Sequence, residues 1–165
     1  MFAICALIRL ALAALPSTQP PSAGPPIVTA SGAFFAMSVP DLQASSRWYS
    51  EKLGLHVVMQ LPKRDKVAVV VLEGAGFIVE LVQKDDAVPL RQAAPRVEDN
   101  TLVHGIFKAG AVVADFDRTI EALRQRGVEV AYGPYPARSD QRANVIIRDN
   151  AGNLIQLFGQ YASRR

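Results

Sequence analysis

Val39-Pro40-Asp41-Leu42, followed by Trp48-Tyr49 and Leu53-Gly54, is the stretch on which the fold turns. Its core is echoed by Val113-Ala114-Asp115-Phe116. An internal repeat of this kind is worth more than element-by-element reading, because one supersecondary unit then explains two stretches of chain. In each copy an apolar, strand-like run comes first: Phe34 to Val39, then Ile106 to Val113. A helix-like segment follows, from Leu42 to Leu53 before Gly54, and from Phe116 to Arg126 before Gly127. Asp41 and Asp117 are the expected N-caps, since a carboxylate accepts the free N–H groups of a first turn. Gly54 and Gly127 stand where a left-handed residue closes a helix. The apolar spacing of Leu42, Trp48, Tyr49 and Leu53, and of Phe116, Ile120 and Leu123, supports both helices.

Three strand-like runs follow each helix. They are Leu55–Gln60, Val67–Glu73 and Phe77–Val82 in the first copy, and Val128–Tyr132, Ala143–Arg148 and Leu154–Phe158 in the second. All are rich in Val, Ile or Leu. Turns at Glu73-Gly74-Ala75-Gly76 and at Asp149-Asn150-Ala151-Gly152-Asn153 join the last two runs of each set, their Gly, Asn and Asp suited to positive φ. The last strands align as well: Glu80 and Gln156 each fall four residues after a glycine. The expectation is an α+β fold of two tandem βαβββ modules. Residues 33–160 form this domain: module one 33–83, a linker 84–103, and module two 104–160. Pro89, Pro95 and the acidic Glu98-Asp99 mark the linker as solvated.

The chain's 165 residues are 50% hydrophobic and 20% charged, an ordinary globular composition. That excludes a collagen-like or wholly disordered chain, and the length lets the core stand without metal or disulfide. Eighteen Lys+Arg against fifteen Asp+Glu leave a net charge of +3. The bases are scattered, so nucleic acid is not an expected partner. Residues 1–32 read as a leader. An apolar run to Leu15 and a Pro/Ser-rich spacer from Pro16 to Pro26 resemble a secretory signal peptide, with Ala11-Leu12-Ala13 as its cleavage site. The run is too short to span a bilayer comfortably. The expected location is therefore exported, periplasmic or secreted, without stable membrane insertion once the leader is removed. If residues 1–32 are only a tail, the location is cytoplasmic. The single cysteine, Cys5, lies in this stretch, which excludes an intrachain disulfide and a Cys-rich zinc site.

The stretch from Ser38 to Gly54 and the stretch Arg148-Asp149-Asn150 to Leu157, in this order and at repeat spacing, resemble the vicinal oxygen chelate superfamily, the group of glyoxalases, bleomycin-resistance proteins and extradiol dioxygenases. The resemblance covers about Ala33 to Gly159. It implies paired modules forming an open curled sheet, a cup around a cavity, and, in metal-dependent members, ligands of His, Glu or Gln type from the first and last strands of each module. Carried over one at a time, those positions are Phe34, Glu80, Lys108 and Gln156. Phe34 has no donor atom, and a protonated lysine has no lone pair. Only Glu80 and Gln156 can ligate, and with waters they would hold a hard cation weakly. Neither histidine, His56 or His104, falls at a matching position. The departures point to the metal-free, ligand-binding members, so no metal and no cofactor are expected.

Strand alternation puts Glu80 on the face of Ile78 and Val82. In an apolar cavity it is a candidate catalytic base or a grip for a ligand's donor; the bland reading is an ion pair with Lys108. Lys108 itself is an anion contact or a solvated strand end. Gln156 either meets ligand or bonds to Glu80 across the modules. His104 can reach a cavity rim as acid or base, though a histidine at a loop–strand junction more often satisfies backbone. His56 reads as surface, and Trp48 and Tyr49 as core. Phe34 would offer apolar wall for a flat or greasy ligand. Arg138 and Arg142, in the loop Pro134–Arg142, are candidate guards of a pocket mouth or plain solvated charges. No Walker loop, G-x-S-x-G, H-E-x-x-H or CxxC motif is present.

Two functions stay open, with a third, weaker reading as an exported interaction module whose leader matters more than any pocket. One is a bleomycin-resistance-type protein binding an apolar or aromatic small molecule at Phe34, Glu80, Lys108, Gln156 and His104, as a homodimer and without metal. The other is a glyoxalase-like lyase or isomerase with Glu80 as general base or sole carboxylate ligand. A dioxygenase is disfavoured.

Overall fold

The computed structural model describes residues 31–161. The leader with Cys5 therefore lies outside the described residues. Two four-stranded mixed sheets carry the chain, with strand orders β1-β4-β3-β2 and β5-β8-β7-β6. The first holds β1 (Ala33–Ser38), β2 (His56–Arg64), β3 (Val67–Gly74) and β4 (Phe77–Lys84); the second holds β5 (Lys108–Val112), β6 (Glu129–Tyr135), β7 (Asn144–Arg148) and β8 (Leu154–Phe158). In each, the first strand runs parallel to the last and the other pairings are antiparallel. These are the two expected βαβββ modules, open rather than closed. The sheets approach each other at β1 and β5.

Helix α1 (Leu42–Trp48) starts at Asp41, whose extended backbone lets its carboxylate accept from Ala44 N at 2.9 Å. The expected single helix to Leu53 is divided: Tyr49–Leu53 is wound as a π turn, closed by Gly54 at φ 76°. Helix α3 (Phe116–Gln125) is capped by Asp115, not by Asp117 as the sequence suggested. The cap needs extended backbone, which Asp115 has at φ −128°, ψ 102°, and Asp117 already lies within the first turn. The linker holds a short helix α2 (Leu90–Ala93) and a 3-10 turn (Asn100–Leu102). No helix among the described residues is long and apolar enough to cross a membrane.

Strand β2 runs past the expected end at Gln60, through Pro62 to Arg64. Its place at a sheet edge makes the missing N–H of Pro62 tolerable. Asp65 and Lys66, both at positive φ, then turn the chain into β3, the twist-compatible geometry for a two-residue hairpin. Similarly, β6 extends to Tyr135 and takes the start of the expected long loop.

Alternation sorts each sheet into two faces. Val70, Leu72, Val79 and Leu81 of the first sheet, and Val145, Ile147, Ile155 and Leu157 of the second, are buried with Leu42, Tyr49, Leu55 and Leu123 in one core shared by both modules. Each fully buried Leu or Ile contributes about 1.5–3 kcal/mol. The opposite faces are left open.

Two patches join the modules on the helix side. Asp149, 4% exposed, accepts from Ala151 N (2.9 Å) and Asn153 N (2.8 Å) through Oδ1, and from Asn153 Nδ2 (2.9 Å) and the Tyr49 hydroxyl (3.0 Å) through Oδ2. Asn150 Nδ2 donates to the buried Ser45 hydroxyl at 3.1 Å. Nearby, the Lys52 ammonium donates to the Arg126 carbonyl, and Arg126 Nη1 donates to the Lys52 carbonyl at 3.0 Å.

Candidate functional site

The register fixes where the expected residues point. Phe34 pairs with Ile78 and Ala36 with Glu80 across β1 and β4; Lys108 pairs with Leu154 and Gly110 with Gln156 across β5 and β8. Paired residues share a face, so Phe34, Glu80, Lys108 and Gln156 all lie on open faces, away from the buried helix-side rows. The repeat places Phe34 opposite Lys108 in role, and Glu80 opposite Gln156. His104 is not brought to them. It lies exposed in the bent segment before β5, in neither sheet.

The open face of the first module is apolar. Phe34 is 63% exposed and Ile78 41%, with Val69, Val71 and Val82 beside them. Met59 and Leu61 extend the face onto β2. Glu80 sits half-buried among these, between Ala36 on β1 and Val71 on β3. Among the described residues it has no ion pair and no side-chain hydrogen bond: neither the partner Lys108 nor the partner Gln156 that its sequence context offered is taken up. Lys108 instead lies over the Phe107 ring, and Gln156 donates to Asn144.

The second module's open face is more polar. Lys108, half-buried, holds its ammonium 5.2 Å from the Phe107 ring centroid. Asn144 Nδ2 donates to the Arg142 carbonyl at 3.3 Å, and Asn144 Oδ1 accepts from Gln156 Nε2 at 3.1 Å. This relay orients the Gln156 amide. Opposite Gln156, Gly110 is required by contact: a Cβ there would run into the backbone carbonyl of Gln156, which is distinct from its side-chain amide oxygen. Arg142 stacks on Tyr161 at 3.9 Å rather than standing free, while Arg138 lies in the exposed loop. Trp48 and Tyr49 belong to the core side, as expected, and His56 is exposed.

The donor chemistry of the four positions does not fit the metal of metal-dependent relatives. One is a hydrocarbon, one is an ammonium, and among the described residues no three His, Cys, Asp or Glu side chains are grouped to hold an ion. Two open hollows, about 490 and 520 Å³, lie on the helix side, one beside Leu42, Arg47 and Gln60, the other beside Phe116, Pro136 and Gly159. Neither contains an expected site residue.

What sequence reasoning missed is Asp149. Its sequence context marks it as a turn residue within the Arg148–Leu157 stretch and gives no sign of a contact to the first module, yet its carboxylate is buried and unpaired with any cation among the described residues. Burial, then the charge and the hydrogen bond of Asp149, push the Tyr49 phenol far up. The group is a joint between modules and not a reacting site, since four donors already occupy its two oxygens.

The family model of the Glyoxalase/Bleomycin resistance protein/Dioxygenase superfamily matches residues 33–157. No curated protein matches the chain. Among solved structures, TnmS3, an antibiotic binding protein from Streptomyces sp. CB03234, is 20% identical over 81% of this chain and 96% of its own, with a TM-score of 0.56. A glyoxalase family protein from Enterococcus faecalis is 19% identical over 80% of this chain and 98% of its own, at 0.59. A glyoxylase/bleomycin resistance protein/dioxygenase domain from Frankia sp. EAN1pec is 15% identical over 83% and 96%, at 0.63. At these identities the likeness is one of fold.

Proposed function

The chain belongs to the glyoxalase/bleomycin resistance protein/dioxygenase superfamily, and on that premise we propose that it is a metal-independent small-molecule-binding protein of the bleomycin-resistance type. Its ligand is apolar or aromatic and lies on the open sheet faces. The observation that carries this reading is Phe34: a large ring, 63% exposed, at a position where the metal-dependent members place a ligand. An antibiotic-binding protein among the structural neighbours supports a small-molecule ligand. The exposed apolar rows that continue onto Met59, Leu61 and Tyr132 support a homodimer in which a second copy covers the face. Residues 1–32 are read as an export leader, so the ligand would be met outside the cytoplasm.

The test is a titration of ring-bearing compounds with and without chelator, read by calorimetry. Affinity is expected to survive chelation, and Phe34→Ala is expected to weaken it by about tenfold or more, the worth of one buried aromatic contact. Binding that needs added Zn, Ni, Mn or Fe would overturn the reading. One observation favours a second function. Among the described residues Glu80 is a carboxylate without a hydrogen-bond or ion-pair partner, on an apolar face, which suits a general base for lyase or isomerase chemistry. Loss of a detected turnover in Glu80→Gln, with the fold intact, would favour it.

A further inference from the structure

We propose that the ligand of the open faces is amphoteric: an apolar ring body with a cationic, hydrogen-bond-donating amine that meets Glu80 and the Gln156 carbonyl oxygen, and an anionic group that meets Lys108. The proposal rests on the ligand-binding reading above and specifies its chemistry.

Three observations carry it. First, Glu80 and Lys108 are half-buried opposite charges on the open faces of the two sheets that approach each other at β1 and β5, yet no ion pair joins them. Four ion pairs are found among the described residues, Lys63–Asp85, Lys66–Asp86, Arg124–Glu121 and Arg148–Glu129, and none involves either group. A charge partly removed from water among Ala36, Val71 and Ile78 is unfavourable until something complements it. Second, the Arg142–Asn144–Gln156 relay decides which end of the Gln156 amide is free. Asn144 uses its Nδ2 on a backbone carbonyl, so its oxygen accepts the Gln156 amide nitrogen. The Gln156 carbonyl oxygen is left to accept from outside. Third, the two repeat-equivalent positions therefore present acceptors, Glu80 from one module and Gln156 from the other. A ligand that reaches both of these oxygens must donate to both. Lys108, at the position equivalent to Phe34, has no carboxylate partner among the described residues, and its donors ask for an anion.

A naphthalene series separates the contributions. Aminomethylnaphthoate carries both charges, naphthylmethylamine the cation, naphthoate the anion, and methylnaphthalene neither. Calorimetric titration of the whole chain at neutral pH is expected to rank aminomethylnaphthoate tightest and methylnaphthalene weakest, with at least about tenfold between them. Glu80→Gln, which keeps the shape, is expected to erase the advantage of naphthylmethylamine over methylnaphthalene and to leave the advantage of naphthoate. Lys108→Met is expected to do the converse, and Lys108→Gln repeats the test should Met alter folding. Gln156→Met should weaken the amine probes only. Equal affinity for all four probes would overturn the amphoteric assignment and leave a greasy binding face standing. Charged probes whose affinity ignores Glu80→Gln and Lys108→Met would do the same. Absence of binding by every probe would overturn both the assignment and the reading beneath it.

Discussion

Both modules turn from their third strand into their fourth, but the two turns do different work. In the first module Ala75 and Gly76 make a two-residue turn at positive φ, with no polar side chain in it. In the second, Asp149 to Asn153 wraps five residues around a buried carboxylate and presses Asp149 and Asn150 onto α1. The helices differ to match. Helix α1 brings Ser45 and, at the start of its π turn, Tyr49; α3 has Thr119 and Leu123 at the equivalent places. The Thr119 hydroxyl turns back to the Asp115 carbonyl instead. The repeat is thus shared in backbone and unequal in side chains, and the unequal residues hold the copies together. A symmetric pair of apolar helices buries area without direction, whereas one carboxylate with four donors fixes a single register.

The sharpest way to break this comparison is Asp149→Ala. It removes four hydrogen bonds and leaves the buried Tyr49 hydroxyl and two partly buried backbone N–H groups, of Ala151 and Asn153, without their acceptor. A loss of about 3 kcal/mol or more is expected, a fall in Tm of roughly 6–12 °C for a chain of this size. Ala75→Gly in the first module's turn is expected to stay within about 1 kcal/mol, because Gly accepts positive φ freely. Equal losses at the two turns, by thermal or urea unfolding, would mean that the second turn is no special joint.

A smaller effect is expected from Tyr49→Phe, and pH sharpens it. The buried phenol keeps its proton in the fold far above its ordinary range, while an unfolded tyrosine ionises near 10.0. Below that pH the group is neutral in both states and adds no slope. Above it, the unfolded chain has lost a proton that the native chain retains, so stability falls as pH rises. Tyr49→Phe should cost about 1–2 kcal/mol at neutral pH and should flatten the decline above pH 10. An unchanged alkaline slope in urea titrations would separate Tyr49 from that decline.

These joints were the least legible part of the sequence. The repeat, all eight strands and both helices could be read from local pattern, and Leu154–Phe158 matches to the residue. The Tyr49–Asp149 contact could not, because its partners stand 100 residues apart and an Asp beside Asn and Gly is already explained as a turn former. Nor could the π turn, since α and π winding draw on the same residues. The wrong N-cap in the second helix has a local cause: Asp115 and Asp117 both suit the role, and backbone geometry decides between them. At the candidate site, the face that Glu80 shares with Ile78 and Val82 followed from the period of two, whereas Phe34, Lys108 and Gln156 were singled out only by the family resemblance. What each side chain touches followed from neither. The Gln156 orientation depends on Asn144 and, through it, on the Arg142 carbonyl, and neither residue stood out by spacing.

The least effect is expected where the two modules are most alike. Lys52 and Arg126 stand 74 residues apart, and each donates to the other's backbone carbonyl, so each long side chain caps the opposite helix end. A cation suits a helix C-terminus, where carbonyls lack intrahelical partners. Both contacts are exposed, however, and water replaces an exposed donor at little cost. Lys52→Ala and Arg126→Ala are each expected to cost less than about 1 kcal/mol. Each bond uses its own donor and its own carbonyl, so the double variant should be additive within about 0.5 kcal/mol. A coupling much above that, measured by a double-mutant cycle in urea, would show the symmetric contact acting as one unit. The directional joint at Asp149 would then share its role with the part of the interface that the repeat alone predicts.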